Sequence, residues 1–328
     1  DSAQVPLEVY PKPYPVFSID DSAQCVNTND FLFSNSSFIS SGNLSYVWRF
    51  GDGNESTLSA PLHTYSYPDT FDVVLIATSN HACRDSLIRQ NVVFPKPYST
   101  LIINDTAQCL NINDFQFQSQ VNLASGNLAH FYWDLDNAPL EGDLDTSRIY
   151  AVDGTYLITF WAESDQNCWD TVQNQITVHP QPSAAFSIND STQCVNTQSI
   201  QFTNSSTISQ GSLSYLWHFG DGDSSLVFEP PHLYAQHDSF LVRLLAISGL
   251  GCIDTVEHQM IVYPKPEVFF TINDSDQCVN GNRFELTHLS SIDYGVLFHD
   301  WDFGNGQFDQ GMNQIVIYLL QNTYLIQL

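Results

Sequence analysis

Tyr46-Val47-Trp48-Arg49-Phe50-Gly51-Asp52-Gly53, followed by Pro61-Leu62-His63-Thr64-Tyr65 and Asp69-Thr70-Phe71-Asp72-Val73, reads as a strand, a tight glycine turn and two further strands. The stretch recurs along the chain. Trp48 returns as Trp133, Trp217 and Trp301, and Tyr65 as Tyr150, Tyr234 and Tyr318, at steps of 85, 84 and 84 residues. Pro11, Pro95, Pro180 and Pro264 keep the same count, as do Cys25, Cys109, Cys194 and Cys278, at steps of 84, 85 and 84. A repeat of that length is the size of one small β-sandwich, so the chain is a tandem array of such units.

In the first repeat, alternation and turn residues predict strands over Val16 to Asp20, Asp30 to Ser34, Tyr46 to Phe50, Leu62 to Tyr65, Phe71 to Thr78 and Ser86 to Phe94. No segment keeps a 3.6-residue apolar period, so the expected class is all-β, with the sandwiches arranged end to end as a rod. The frame gives a module over 11–94, a degenerate one over 95–179, a third over 180–263 and an incomplete one over 264–328. Residues 1–10 align with the last strand of a preceding module, because Asp1-Ser2 matches Asp85-Ser86.

Leu328 matches Leu75, so the last module stops before its second cysteine and its last strand. Two readings follow. The chain is a window on a longer repetitive polypeptide, or residues 1–10 of one copy complete the sheet of 264–328 in the next by strand donation.

Within each module one strand face carries the core. Phe71, Val73, Leu75 and Ala77 correspond to Tyr156, Ile158, Phe160 and Ala162, and to Phe240, Val242, Leu244 and Ala246. These are expected to pack around Trp48, Trp133, Trp217 and Trp301, with Tyr65, Tyr150, Tyr234 and Tyr318 also in the core. The opposite face should be polar if water touches it, yet it holds Val74, Ile76, Leu157, Trp161, Leu241 and Leu245. These are either scattered surface apolar residues or a lateral interface with a neighbouring chain.

The formal charge of −27, with nine basic residues, argues against nucleic acid and anionic membranes as partners. Charged residues make up only 14% of the chain and aromatic ones 13%, a balance that suits an extended secreted protein. No apolar run reaches the length of a membrane-spanning helix, so direct membrane insertion is not expected.

The quoted phrase resembles the PKD domain, an immunoglobulin-like sandwich. It reappears as Tyr215-Leu216-Trp217-His218-Phe219-Gly220-Asp221-Gly222 with Pro231-His232-Leu233-Tyr234 behind it. The fourth module keeps Trp301-Asp302-Phe303-Gly304 but has Asn305 for the Asp. The second departs most, reading Trp133-Asp134-Leu135-Asp136-Asn137, with Arg148 in place of the histidine. The resemblance implies an extracellular array serving as spacer, adhesin or mechanical element, or as an accessory module of a secreted hydrolase. The cysteine-bearing phrases resemble those of large surface and gliding proteins of Bacteroidota, which implies type IX secretion.

A second cysteine series, Cys83, Cys168 and Cys252, makes two per period and reads as a disulfide framework. Bonds within a module would be Cys25–Cys83, Cys109–Cys168 and Cys194–Cys252. In an immunoglobulin-like sandwich, however, the loop after the first strand and the turn before the last lie at opposite ends, roughly 25 Å apart by strand length. A disulfide needs Cα atoms within about 7 Å. In an end-to-end array the bottom of one module meets the top of the next, which favours Cys25–Cys168 and Cys109–Cys252. Such bonds would brace the joints that the Pro-x-Pro linkers already stiffen. Cys83, Cys194 and Cys278 would then seek partners beyond the chain.

The acidic loops offer Asp52, Asp221, Asp20 and Asp21 as weak calcium candidates, against a plain reading as turns in which Asp bonds the backbone. No other cofactor is expected. His63 and His232 repeat but belong to no metal-ligand spacing. Asp-Ser/Thr followed by a small or aliphatic residue, as at Asp21-Ser22-Ala23, resembles a Bacteroidota O-glycosylation signal. No nucleophile elbow, phosphate loop or repeated carboxylate pair points to catalysis, so no enzyme is expected here. Two functions stand. One is a structural or adhesive segment of a long surface filament, whose partners are copies of itself, adjacent modules in a homo-oligomeric fibre, and glycans of a target cell. The other is a glycan- or protein-binding array within a larger secreted protein.

Overall fold

The computed structural model describes residues 2–136, 140–196 and 199–328, with Leu140 described by its backbone alone. Asp1 and Asn137, used above to align the repeats, lie outside these residues. Regular structure among the described residues is entirely β-strand. The chain divides into two compact units, Asp1–His179 and Pro180–Leu328, each holding two modules.

In the first unit, module one consists of β1 (Phe17–Ile19), β2 (Ala23–Cys25), β3 (Phe31–Asn35), β4 (Leu44–Arg49), β5 (Glu55–Ser56), β6 (Leu62–His63), β7 (Asp69–Ser79) and β8 (Arg84–Phe94). Module two repeats them as β9 (Tyr98–Ile103), β10 (Ala107–Cys109), β11 (Phe115–Asn122), β12 (Leu128–Asp134), β13 (Leu140–Glu141), β14 (Asp145–Arg148), β15 (Gly154–Ser164) and β16 (Trp169–His179). Each module is a sandwich of one five-stranded and one three-stranded sheet, ordered β2-β8-β7-β4-β5 and β1-β3-β6 in the first, β10-β16-β15-β12-β13 and β14-β11-β9 in the second.

The cysteine phrase is a strand, not the loop that the sequence suggested. Ala23, Gln24 and Cys25 pair in parallel with Val92, Val93 and Phe94 of β8, so the chain crosses from one sheet to the other within a few residues of β1. Three residues are too few to show any periodicity, and the parallel partner lies some seventy residues away, so local pattern could not reveal it.

Burial along β7 alternates without a break from Phe71 to Ser79, and Val73, Leu75 and Ala77 are fully buried. Phe17, Phe31 and Phe33 of the smaller sheet close over them, with Trp48 at the centre. Each fully buried large apolar side chain contributes roughly 2–3 kcal/mol, so these aromatic residues carry much of a module's stability. Trp48, Trp133, Trp217 and Trp301 are all buried, as are Tyr65, Tyr150, Tyr234 and Tyr318. Tyr156 differs from its counterparts Phe71 and Phe240. It is only half-buried, because its hydroxyl reaches out to the Val152 carbonyl at 2.7 Å.

Hydrogen bonds tie these aromatic residues to the frame. Each tryptophan donates its indole N–H to a carbonyl ten residues on: Leu58, Asp143, Val227 and Gly311, at 2.9–3.0 Å. Each tyrosine donates its hydroxyl to the carbonyl fifteen residues back, Phe50, Leu135, Phe219 or Phe303. Asn29 holds the tyrosine backbone from the other side, accepting from Tyr65 N–H at 2.6 Å and donating to Tyr65 O at 2.9 Å. Asn113 and Asn282 do the same for Tyr150 and Tyr318.

In the second unit, module three has β17 (Phe186–Ile188), β18 (Thr192–Cys194), β19 (Ile200–Asn204), β20 (Leu213–His218), β21 (Ser224–Ser225), β22 (Pro231–His232), β23 (Asp238–Ser248) and β24 (Ile253–Tyr263), in the same two sheets. Module four has β25 (Phe270–Ile272), β26 (Phe284–His288), β27 (Trp301–Asp302), β28 (Phe308–Asp309) and β29 (Gln314–Val316). Its Asp302 bridges Gln327 in the register by which Arg49 faces Val74 in module one. Residues 2–10, read from the repeat as a last strand, are not paired as one. Val5, Leu7 and Val9 are exposed, and Tyr10 stacks on His81 with ring centroids 3.6 Å apart.

Candidate functional site: the joint between the first two modules

The linker between modules one and two is the three residues Pro95-Lys96-Pro97, between the end of β8 and the start of β9. Two fixed proline φ angles favour extended backbone and leave little freedom. The lysine between them is committed to its own module. Lys96 Nζ meets Asp170 Oδ1 at 2.5 Å, and the other Asp170 oxygen accepts from Ser99 N–H at 2.8 Å. Lys12 makes the equivalent pair with Asp85 at 3.0 Å and lowers its pKa, against a smaller opposing effect of burial. In the second unit Gln181 replaces the lysine and donates to Ile253 O at 2.7 Å, while Ala184 N–H bonds Asp254 Oδ2 at 2.7 Å. The anchoring survives without the charge.

Across the joint, Cys25 at the end of β2 is bonded to Cys168 in the β15–β16 turn, with the Cα atoms 5.5 Å apart. That turn is tight: Ser164 N–H bonds Cys168 O at 2.8 Å, and Cys168 N–H bonds Ser164 Oγ at 3.2 Å. The residue before the cysteine takes a left-handed conformation, φ 57° at Asn167, 62° at Ala82 and 83° at Gly251. Beside the disulfide, Asn27 Nδ2 donates to Trp169 O at 3.2 Å. Linker, ion pair, disulfide and this last bond therefore converge on residues 168–170. Lys96 and Asn27 both stand in repeated phrases, the one between two prolines and the other two residues after the cysteine, but neither phrase told what its side chain meets.

The alternatives Cys25–Cys83 and Cys109–Cys168 do not form, since Cys25 and Cys168 are bonded to each other. Cys83 and Cys278 are free thiols. Cys109 and Cys252 are each in a disulfide, and Cys194, closing β18, is exposed.

The proposed calcium ligands all have protein partners. Asp52 Oδ2 meets His63 Nε2 at 2.8 Å, and its Oδ1 accepts from Asn54 N–H at 3.0 Å. Burial works to raise this carboxyl's pKa, and the bonds from Asn54 and His63 overcome it, leaving it below the ordinary value. The His63 ring stacks on Phe50 with centroids 4.0 Å apart and meets Tyr65 edge-on. Module three repeats the latch with Asp221 and His232 at 2.7 Å, stacked on Phe219. Asp223 lies close enough to share an ion with that pair. Asp20 accepts from Leu32 N–H and Asp21 from Ala23 N–H, both at 3.0 Å. These carboxylates have work in the turns themselves.

On the outer face of the larger sheets Val74, Ile76, Trp161 and Leu245 are half-buried, while Leu157 and Leu241 are about half exposed. Trp161 stacks on Tyr132 with centroids 5.7 Å apart. No helix among the described residues is long and apolar enough to cross a membrane.

Repeated two-sheet sandwiches with a covalent bond across a proline-bounded joint define a tandem immunoglobulin-like repeat protein. The PKD domain family model matches residues 11–93 and 179–262, together half of the chain, and the chain belongs to that family. No curated protein matches the sequence. Among solved structures, the PKD1 domain of the Vibrio cholerae metalloprotease PrtV is 31% identical, covering 25% of this chain and 96% of its own, with a TM-score of 0.22. The titin I-band fragment I67–I69 is 12% identical over 79% of this chain and 100% of its own, TM-score 0.40. A bacterial ice-binding adhesin of 1.5 MDa is 7% identical over 76% of this chain and 99% of the solved chain, TM-score 0.29.

Proposed function

We propose that this chain is a load-bearing segment of an extracellular, adhesive or structural filament of PKD repeats. The observation that carries the reading is the disulfide between Cys25 and Cys168, which joins two modules rather than the two sheets of one. Tension applied at the termini passes from residue 25 to residue 168 through the sulfur atoms. The intervening chain, β3 through β15, is shielded from it. Disulfides of this kind persist in oxidising surroundings, which supports an extracellular location. Export by the type IX route rests on the resemblance of the cysteine phrases.

The period extends the device. Cys109 and Cys252 are separated by 143 residues, as Cys25 and Cys168 are, and the proposal assigns them to each other. Overlapping loops of that length would place modules one to three within one covalent frame. The apolar residues on the outer sheet faces, Val74, Ile76, Leu157, Trp161, Leu241 and Leu245, are proposed as contacts between neighbouring chains in a fibre.

Single-molecule stretching tests the mechanical claim. Reduction is expected to release about 500 Å of contour, the extended length of the 143-residue loop closed by Cys25 and Cys168. Equal contour with and without reductant would end the reading. Non-reducing peptide mapping that pairs Cys109 or Cys252 elsewhere would confine it to the first joint.

A further inference from the structure

The outer face of module two carries a feature that its neighbours lack. Trp161 and Glu163 on β15 lie opposite Thr171 and Trp169 on β16, respectively, and the four side chains line an open cleft of about 340 Å³. Trp169 is 51% exposed. Tyr132 extends the aromatic surface by stacking on Trp161. At the same four positions module one has Ile76, Thr78, Ser86 and Arg84, and module three has Leu245, Ile247, Thr255 and Ile253. The indoles and the carboxylate occur together only in module two, where the Gly-Asp-Gly and histidine features of the repeat are lost.

From this geometry we infer that the Trp161–Glu163–Trp169 cleft is a binding site for a quaternary ammonium group. Indole faces carry negative potential and attract a cation held above them. Glu163 supplies a full charge and has no hydrogen-bond or ion-pair partner among the described residues, and no lysine or arginine lines the cleft. A small metal ion would have to shed tightly held water to reach the indoles, which offer it no oxygen ligands. A quaternary ammonium carries diffuse charge on methyl groups, loses little hydration and gains contact with both rings. The chain's charge of −27 raises the local concentration of any cation, an effect that weakens with salt. The inference is independent of the mechanical reading, since a joint can bear load whether or not the cleft is occupied.

Choline titrated into the oxidised full chain, followed through the indole N–H resonances of Trp161 and Trp169, tests it. Saturable shifts are expected, with affinity falling about fivefold in Trp161→Ile and in Glu163→Gln. Trp161→Ile installs the residue that module one already folds with, and retained resonances of the other tryptophans verify folding. The neutral isostere 3,3-dimethyl-1-butanol should bind more weakly than choline. Sedimentation with phosphatidylcholine vesicles, relieved by choline, would assign the group to a lipid headgroup, whereas binding of choline without sedimentation assigns it to a soluble amine. Equal binding of the neutral isostere, a response unchanged in both variants, no response to choline, or binding of a neutral disaccharide in its place would overturn the inference.

Discussion

Modules one and two fold alike but hold their loops differently. Module one latches the turn after β4 with Asp52 and His63, the imidazole lying flat on Phe50. Module two has Arg148 at the histidine position, its guanidinium 5.5 Å from the Tyr150 ring centroid, and Leu135 where Phe50 stands. Tyr150, buried near Arg148 and two aspartates, still has its hydroxyl pKa pushed up to about 12, chiefly by burial. Its hydrogen bond to Leu135 O is longer, 3.3 Å against 2.8 Å in module one. The sandwich therefore survives loss of the latch. What both modules keep is the tryptophan, the tyrosine and the asparagine that clamps it, and the latch refines one loop.

The joint is the one element the two modules share, and breaking it should have the largest effect. Cys25→Ser is expected to cost about 5 kcal/mol by the chain-entropy model for a loop of 143 residues, read as a lowered denaturation midpoint. It should also split one unfolding transition into two. An unchanged midpoint would mean that the modules gain nothing from the bond.

The next test exchanges a backbone feature between the modules. Gly51 and Gly220 follow the latch phenylalanines with φ of 89°, and a Cβ there would lie 3.0 Å from Asp72 O or 2.9 Å from Leu241 O. Module two places Asp136 at this position, with φ 85°. Gly220→Ala should therefore cost about 2 kcal/mol, and Asp136→Gly should return about 1 kcal/mol, both measured by urea denaturation. A neutral Gly220→Ala would show that the turn relaxes freely.

A smaller gain is expected at the hairpin before the second cysteine. Ala82→Gly places the residue that module three already uses at this left-handed position and should add about 1 kcal/mol to module one. Asn167→Gly in module two should add less, because asparagine tolerates the conformation better.

Acid gives the smallest and most local difference. The Asp52 carboxyl titrates below its ordinary value, so its contribution is present above that value and lost as pH falls through the folded pKa, below about pH 4. Amide exchange around Gly51 to Asn54 should rise there first. Module two, with Asn137 at the aspartate position, should show no matching step. Simultaneous loosening of both modules would make the latch irrelevant to acid stability.

Much of this was legible in the residues. A period of 84 or 85 fixed the module frame, and alternation along Phe71 to Ala77 identified the buried face, because strand geometry forces neighbouring side chains to opposite sides. The short strands β2 and β5 were not visible, since two or three residues carry no pattern. Asn29 escaped for another reason: its partner Tyr65 is 36 residues away, and an asparagine in a loop reads as a turn residue.

The sequence by itself determined the repeat, the all-β class, the aromatic core and the presence of two cysteines per period. These follow from local periodicity and composition, which one strand or one module contains in full. Module order favoured the bond between Cys25 and Cys168 that the structure contains, but only the tertiary structure decided that Lys96 and Ser99 share Asp170, and that Trp161, Glu163 and Trp169 face one cleft. Each of those depends on strand register and on how one module is set against the next. Register brings together residues far apart in the chain, and no spacing along the sequence encodes it.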